Sequence, residues 1–357
     1  MSHEDVLIRR TGQALHITLN RPRALNALTV ETCRAIHTAV AAETEAKVII
    51  IDGAGERGLC GGGDIKRMVE APEKAREFLH AEYLMDDAVH RAAIPVVSFL
   101  SGITMGGGIG LAGHATHRIV SEHSRLAMPE TRIGIMPDVG GHLLLARAPG
   151  FLGEYLAVTS GSFGAADALY TGFADAFVPE AEHDALKAEL IAGADPRVAV
   201  AARHTQPAAA VLPKIQEWWD PVIAELDAEG AAALEPVARA QQLFDTLRDE
   251  PQAADFLADA AQMCPTSVVV TLEQVRRTRL AELTLREVLE DDFRITSQLV
   301  ARPDFAEGVR ARVIDKDNSP NWNPATLEEV SESEIARLLG ASEPRPKAVL
   351  FSEDSPF

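Results

Sequence analysis

Between residues 6 and about 195, short apolar runs alternate with helical stretches, and this alternation constrains the fold more than any other feature of the chain. The runs are LHITL at 15–19, KVIIID at 47–52, IPVVSFL at 94–100, HRIVS at 117–121 and DAFV at 175–178, with helical patterns at 29–45, 72–92 and 142–158. Each run has the length of a strand, and strands separated by helices point to an α/β arrangement whose helices cover a sheet. Asn20, Arg21 and Pro22 end the first run, and glycine-rich stretches at 53–63 and 106–110 follow the second and third. Glycine and proline at these points punctuate the elements.

From about 196 the character changes. Pro207 and Pro213 flank an Ala-rich connection, and from there to about 300 only helical periodicity is convincing. The expected organisation is therefore a core over 1–200, a helical region over 201–340, and a Pro- and Ser-rich tail over 341–357 that is poorly ordered. Trp218 and Trp219, followed by Pro221, are expected to anchor one helix of the second region in its core. No repeat of fixed period and no low-complexity segment interrupts this scheme.

The formal net charge of -19 argues against a nucleic-acid partner, whose phosphates call for clustered Lys and Arg. An anionic small ligand is still compatible with it if backbone N–H groups or local cations such as Arg21, Arg23, Lys66 and Arg67 receive it. No apolar run approaches the roughly 18 residues of a membrane span. The start MSHEDVLIRR lacks the apolar segment of a secretory signal, so a cytoplasmic location is expected by default. Cys33, Cys60 and Cys264 are odd in number and far apart, which suits buried apolar packing rather than a disulfide framework or a structural metal site. No metal is expected.

Two segments match the dinucleotide pattern G-x-G-x-x-G: Gly53 to Gly58 and Gly108 to Gly113. That reading requires a helix of some dozen residues opening on the glycines. Leu-Cys-Gly-Gly-Gly after Gly58, and only His114, Ala115 and Thr116 between Gly113 and the next strand-like run, do not supply one. Nor is there a G-x-S-x-G elbow, an H-E-x-x-H pair or a G-x-x-x-x-G-K-[ST] loop.

What carries chemistry is glycine at 61–63 and again at 106–108, each run lying between a strand and a helical stretch. Glycine lets a ligand approach the main chain closely and places unbonded N–H groups at the start of a helix. Two such runs converging would form an oxyanion hole; taken on glycine content alone, two tight turns with helix caps explain them equally well.

The runs RPRALNAL at 21–28, GLCGGGDIK at 58–66, SGITMGGG at 101–108 and AMPETRIG at 127–134 together resemble the enoyl-CoA hydratase (crotonase) superfamily, over about residues 5 to 335. MPDVGG at 136–141, the Glu82-Tyr83 pair and FAEGVRARVIDKDNSPNWNP at 305–324 make the chain most similar to the 3-hydroxyisobutyryl-CoA hydrolases within it. The resemblance implies a ββα spiral core followed by C-terminal helices that complete the site. It implies hydrolysis of 3-hydroxyisobutyryl-CoA, a step of valine breakdown, with coenzyme A as part of the substrate, no separate cofactor and a possible homo-oligomer.

Carried over position by position, the resemblance makes Gly63 and Gly107 the oxyanion-hole donors, Glu130 the principal catalytic carboxylate and Asp138 the second. Glu82 would line the acyl pocket. Ala24 and Gly61 would meet coenzyme A through their backbone, with Asp64 in the same segment and Lys316 toward the nucleotide end. Hydratases of the superfamily usually carry a glutamate three residues after the middle glycine of the second run, where this chain has Gly110, and commonly a small residue where it has Asp138. Those departures favour hydrolysis over hydration. An enoyl-CoA hydratase or isomerase and a non-catalytic acyl-CoA binder remain the alternatives.

Overall fold

The computed structural model describes residues 5–228, 234–340 and 349–351. Among the described residues eight strands follow in chain order: β1 Val6–Thr11, β2 Ala14–Leu19, β3 Val48–Gly53, β4 Val96–Phe99, β5 Ile103–Met105, β6 His117–Val120, β7 Arg125–Ala127 and β8 Ala176–Phe177. The helices among the described residues run α1 Val30–Ala42, α2 Ile65–Glu70, α3 Pro72–His90, α4 Gly107–Gly113, α5 Gly141–Arg147, α6 Leu152–Thr159, α7 Ala165–Thr171, α8 His183–Ala192 and α9 Pro196–Arg203. They continue with α10 Leu212–Ala228, α11 Pro236–Arg248, α12 Ala254–Ala260, α13 Pro265–Ala281, α14 Leu285–Leu299, α15 Pro303–Val309 and α16 Glu332–Leu339.

These elements form two compact units. The first comprises the described residues of Met1–Asp64 with Glu77–Ala127 and Ser162–Val211; the second comprises those of Ile65–Arg76, Met128–Gly161 and Leu212–Phe357.

The first unit is built on a sheet of order β1-β2-β3-β4-β6-β8, antiparallel at β1-β2 and parallel from β2 onward. β3 and β4 are buried almost throughout, so they read as continuous apolar runs rather than as alternating ones. Their register sets Ile49 against Val96 and Ile51 against Ser98. Val48, Ile50, Val97, Phe99 and Ile119 pack with Leu186 and Leu190 of α8 into the core of this unit. A second, two-stranded parallel sheet pairs β5 with β7.

The second unit is helical, and its core gathers around Trp219 of α10, which is fully buried with Val158, Phe256 and Met263. Burying an indole leaves an N–H to satisfy. Here Trp219 Nε1 donates to the Phe151 carbonyl at 2.7 Å. The helical pattern at 142–158 is corrected to two helices, α5 and α6. Pro149 and Gly150 intervene, Gly150 at φ 58, and the Phe151 N–H is captured by Asp220 at 2.8 Å. Proline disfavours helical backbone in the residue before it, so the break follows from local chemistry that the apolar period masks. The expected tail at 341–357 falls, apart from 349–351, outside the described residues. Among the described residues no helix is long and apolar enough to cross a membrane.

At the end of β3, Asp52 is buried beneath three donors. Thr18 Oγ1 donates to it at 2.7 Å, His16 Nε2 lies at 3.0 Å and Lys187 Nζ at 3.1 Å. Burial pushes its carboxyl up, yet the His16 and Thr18 hydrogen bonds and the Lys187 charge outweigh burial and hold it below the ordinary value. A carboxyl lowered by folding contributes stability that is present above its unfolded pKa of about 3.9 and is lost as pH falls through the folded value. At pH 7, Asp52→Asn should therefore cost about 1.5–3 kcal/mol in urea unfolding, the range for hydrogen bonds to a charged group. The deficit should shrink as the pH is lowered through 4 toward 3; a deficit that stays constant would mean the ionised form is not what these donors stabilise.

Candidate active site

In the first unit the segments that lead into the two glycine runs are neighbouring and extended, the second being β5. Cys60 and Thr104 form a parallel bridge in which Cys60 N–H donates to the Ile103 carbonyl at 3.2 Å and Met105 N–H to the Cys60 carbonyl at 3.0 Å. A Cβ at Gly108 would stand 2.6 Å from the Cys60 carbonyl oxygen, and one at Gly62 would stand 3.3 Å from the Met105 carbonyl oxygen. Gly62 has φ 100 and Gly106 φ 50, backbone that side chains rarely adopt. The runs can therefore meet only as glycine.

The N–H groups of Gly63 and Gly107 have different local origins. Leu28 bridges Gly63 through its own N–H to the Gly62 carbonyl and through its carbonyl to the Asp64 N–H, both at 2.9 Å. Parallel pairing of that kind uses the groups on either side of Gly63 and turns its own N–H to the opposite face. Gly107 opens α4, and the Gly106 carbonyl before it accepts from Ile109 at 2.7 Å and from Gly110 at 3.1 Å. The N–H of a first helical residue has no partner within its helix.

Around these groups the sequence RPRALNAL is tied down by two side chains. Asn26 is buried and donates through Nδ2 to the carbonyls of Ala54 at 3.0 Å and Gly58 at 3.1 Å, while its Oδ1 accepts from Arg21 N–H at 2.9 Å. Arg21 donates to the Ala27 carbonyl at 2.7 Å and to Asp64 Oδ2 at 3.1 Å. Asp64 thus serves the loop as an ion-pair partner. Ala24 and Gly61 are exposed, but the Gly61 N–H already donates to the Leu25 carbonyl at 2.9 Å, which leaves its carbonyl for any ligand contact.

Glu82 of α3 is 3% exposed, and its Oε1 occupies the space a Cβ at Gly107 would need. A carboxylate therefore lies directly beside the backbone that opens α4. Cys60 is no nucleophile here: burial pushes its thiol up to about 12, and Sγ donates to the Asn26 carbonyl at 3.3 Å. Cys33 and Cys264 are buried too, with Cys264 pushed by burial to about 11. Among the described residues no group of three or more His, Cys, Asp or Glu is placed to hold a metal.

Glu130 and Asp138 belong to the second unit, 4% and 5% exposed. Glu130 begins a 3-10 turn, Glu130–Ile133, closed by Gly134 at φ 80, whose N–H returns to the Glu130 carbonyl. The next residues fix that turn. Thr131 is fully buried and its Oγ1 donates to the Ala157 carbonyl at 3.1 Å; its carbonyl accepts from Cys264 N–H at 3.1 Å. α15 seats against the turn through glycine on both sides: a Cβ at Gly308 would lie 2.5 Å from Ile133 Cα, and one at Gly134 would lie 2.8 Å from the Asp304 carbonyl carbon. Thr131, Cys264, Gly134 and Gly308 were not legible as site residues. Thr131 and Gly134 lie within the 127–134 segment and Gly308 within the 305–324 segment, both of which carry the resemblance; Cys264 gave no signal.

Residues 14–339 match the family model described as enoyl-CoA hydratase/isomerase. Among curated proteins the chain is similar to the human 3-hydroxyisobutyryl-CoA hydrolase, mitochondrial, 35% identical over 363 residues with 95% of this chain and 90% of that one covered. The zebrafish protein of the same name is 34% identical, with 96% and 91% covered. Among solved structures, a carnitinyl-CoA dehydratase from Mycobacterium thermoresistibile has TM-score 0.86 at 34% identity, covering 98% of this chain and all of that one. An enoyl-CoA hydratase from Rhodobacter sphaeroides 2.4.1 has TM-score 0.81 at 39% identity, covering 94% and 97%. The mitochondrial relatives overturn the expected cytoplasmic location. That expectation rested on the lack of an apolar secretory segment, a criterion blind to mitochondrial targeting, which uses amphipathic, Arg-rich segments. The α/β sheet followed by helices, the family match and relatives similar over nearly the whole length agree: this chain belongs to the enoyl-CoA hydratase/isomerase family.

Proposed function

We propose that this chain hydrolyses the thioester of 3-hydroxyisobutyryl-CoA, releasing the hydroxy acid and coenzyme A. The observation that carries the reading is the burial of two acids, Glu130 and Asp138, in a chain that has Gly110 at the position where the resemblance implies a glutamate in hydratases. The relatives named for this reaction, similar across nine-tenths of their length, support it.

On this reading the thioester oxygen accepts from Gly63 and Gly107. Both N–H groups belong to the main chain, Gly63 held by its bridge to Leu28 and Gly107 by the start of α4, so little reorganisation is needed as charge develops. Donors that bind the oxyanion more strongly than the ground-state carbonyl lower the barrier rather than merely retaining substrate. Glu130 takes a proton from water as the water oxygen adds to the carbonyl carbon, or adds itself to give a mixed anhydride that water then opens. In either course the carbon–sulfur bond breaks as the tetrahedral intermediate collapses, and the departing thiolate is protonated to free coenzyme A. Asp138 orients the substrate hydroxyl or relays the proton. Ala24 and Gly61 meet the coenzyme arm through carbonyls.

A second reading, hydration of an enoyl-CoA, is favoured by the names of the two similar solved structures. The readings part on product: hydrolysis yields free thiol, hydration removes enoyl absorbance and leaves the thioester intact.

Thiol release from 3-hydroxyisobutyryl-CoA, followed with a chromogenic thiol reagent, should fall about 10²–10⁴-fold in Glu130→Gln, the span for loss of a general base. Release at the wild-type rate would remove Glu130 from the mechanism, and loss of crotonyl-CoA absorbance without thiol would establish hydration instead. Gly107→Ala sets a methyl into the place of the Glu82 carboxylate and displaces the donor. Its kcat should drop about 10²–10³-fold, as when one oxyanion donor is removed. An active, folded Gly107→Ala enzyme would show that this N–H does not hold the oxyanion.

A further inference from the structure

The turn carrying Asp138 is strained at the next residue. Val139 has φ 52 and Gly140 φ 71. Left-handed backbone is open to glycine, but a β-branched side chain there collides with its own main chain. Such a residue persists only where its surroundings over-determine the conformation, and these sites concentrate where function needs a fixed geometry.

In this protein the surroundings converge on Asp292 of α14, which is wholly buried. Its Oδ2 accepts the Gly140 N–H at 2.8 Å, and its Oδ1 lies 2.8 Å from His142 Nε2. The other ring nitrogen, His142 Nδ1, lies 2.9 Å from Thr278 Oγ1 of α13. Within the turn Gly141 N–H donates to the Asp138 carbonyl at 2.6 Å. One carboxylate thus grips the backbone on the far side of Val139 and the ring two residues later, while the ring is braced from a second helix. Leaving a carboxylate wholly buried is costly unless it is paired and hydrogen-bonded, so a group retained here needs these partners as much as they need it.

We infer that Asp292, braced by His142, is a positioning residue for the reaction: it holds the strained Val139 turn and so fixes where the Asp138 carboxylate points. The inference rests on the thioester-hydrolase reading for the role of Asp138, but not for the grip on the turn. Asp292 itself touches no substrate. Losing it lets Val139 relax toward ordinary backbone and swings Asp138 out of register, a displacement of the kind that costs about 10- to 100-fold in rate with little effect on binding.

Asp292→Ala is the test, read by steady-state thiol release and by hydrogen exchange of the amides at 139–142. The expected result is a kcat about 10- to 100-fold lower with KM within about threefold, and faster exchange confined to those amides while β3 and α10 keep their protection. If Asp292→Ala does not fold, Asp292→Asn replaces it. Asn keeps an oxygen for Gly140 but turns an amide toward His142, and should give a smaller loss of kcat with the same local rise in exchange. In whichever variant folds, kcat within twofold of wild type, unchanged exchange at 139–142, or a loss of activity that follows global unfolding overturns the inference. If wild-type enzyme releases no thiol, the hydrolase reading fails; the exchange at 139–142 then decides the grip of Asp292 by itself.

Discussion

The first unit depends on two stretches of main chain lying side by side with no side chain between them. The Cys60–Thr104 bridge brings them together, and the carbonyl of Cys60 fills the space where Gly108 would otherwise carry a methyl group. This steric demand precedes any catalytic one. It dictates glycine on both strips, a small residue at position 60, and a buried Asn26 whose amide bonds to Ala54 and Gly58 close the loop over the top. An N–H that such a framework presents is fixed by the fold itself. The same two strips also set Gly63 and Gly107 close to each other in the chain's pairing scheme, since Gly62 packs against Met105 and Gly107 nitrogen.

Legibility in the sequence follows from where each interaction is encoded. β3 and β4 are visible because a strand covered on both faces must be apolar at every position, and VIIID and VVSF are nearly so. β1 escapes notice because VLIRRT is an edge strand with one face wet, and β5 and β7 because three residues carry no period; their hydrogen bonds come from partners far along the chain. Glycines 61–63 and 106–108 were legible as places of close backbone approach. The engagement of Arg21 with Asp64, 43 residues apart, was not, because an ion pair leaves no mark on spacing. Asp64, expected in a ligand-binding segment, also holds the loop through Arg21.

The second unit shows why a long helical region accompanies a short turn that carries a buried acid. A 3-10 turn of four residues has too few internal bonds to hold a buried glutamate in one place. Glu130 is fixed from outside: Cys264 at the start of α13 supplies an N–H to Thr131, and α15 lies against Ile133 so closely that only glycine fits at 308. The 136–141 turn has the same dependence on α14. Each acid therefore borrows its rigidity from helices that begin more than a hundred residues later, contacts that no local pattern could announce.

Charge gives the last step. A chain of net charge -19 offers an anionic thioester no attractive average field, and in the first unit the Arg21 guanidinium is already engaged by Asp64 and the Ala27 carbonyl. Cationic side chains would in any case attract the phosphates of a coenzyme in ground state and transition state alike, which raises affinity without raising rate. Neutral N–H donors act differently. They carry no net charge for Glu82 to neutralise, they do not titrate, and their pull is greatest on the one oxygen whose charge grows during reaction. On the proposed reading, an acidic protein with a backbone oxyanion hole is consistent in its parts: stabilisation is reserved for the atom that needs it.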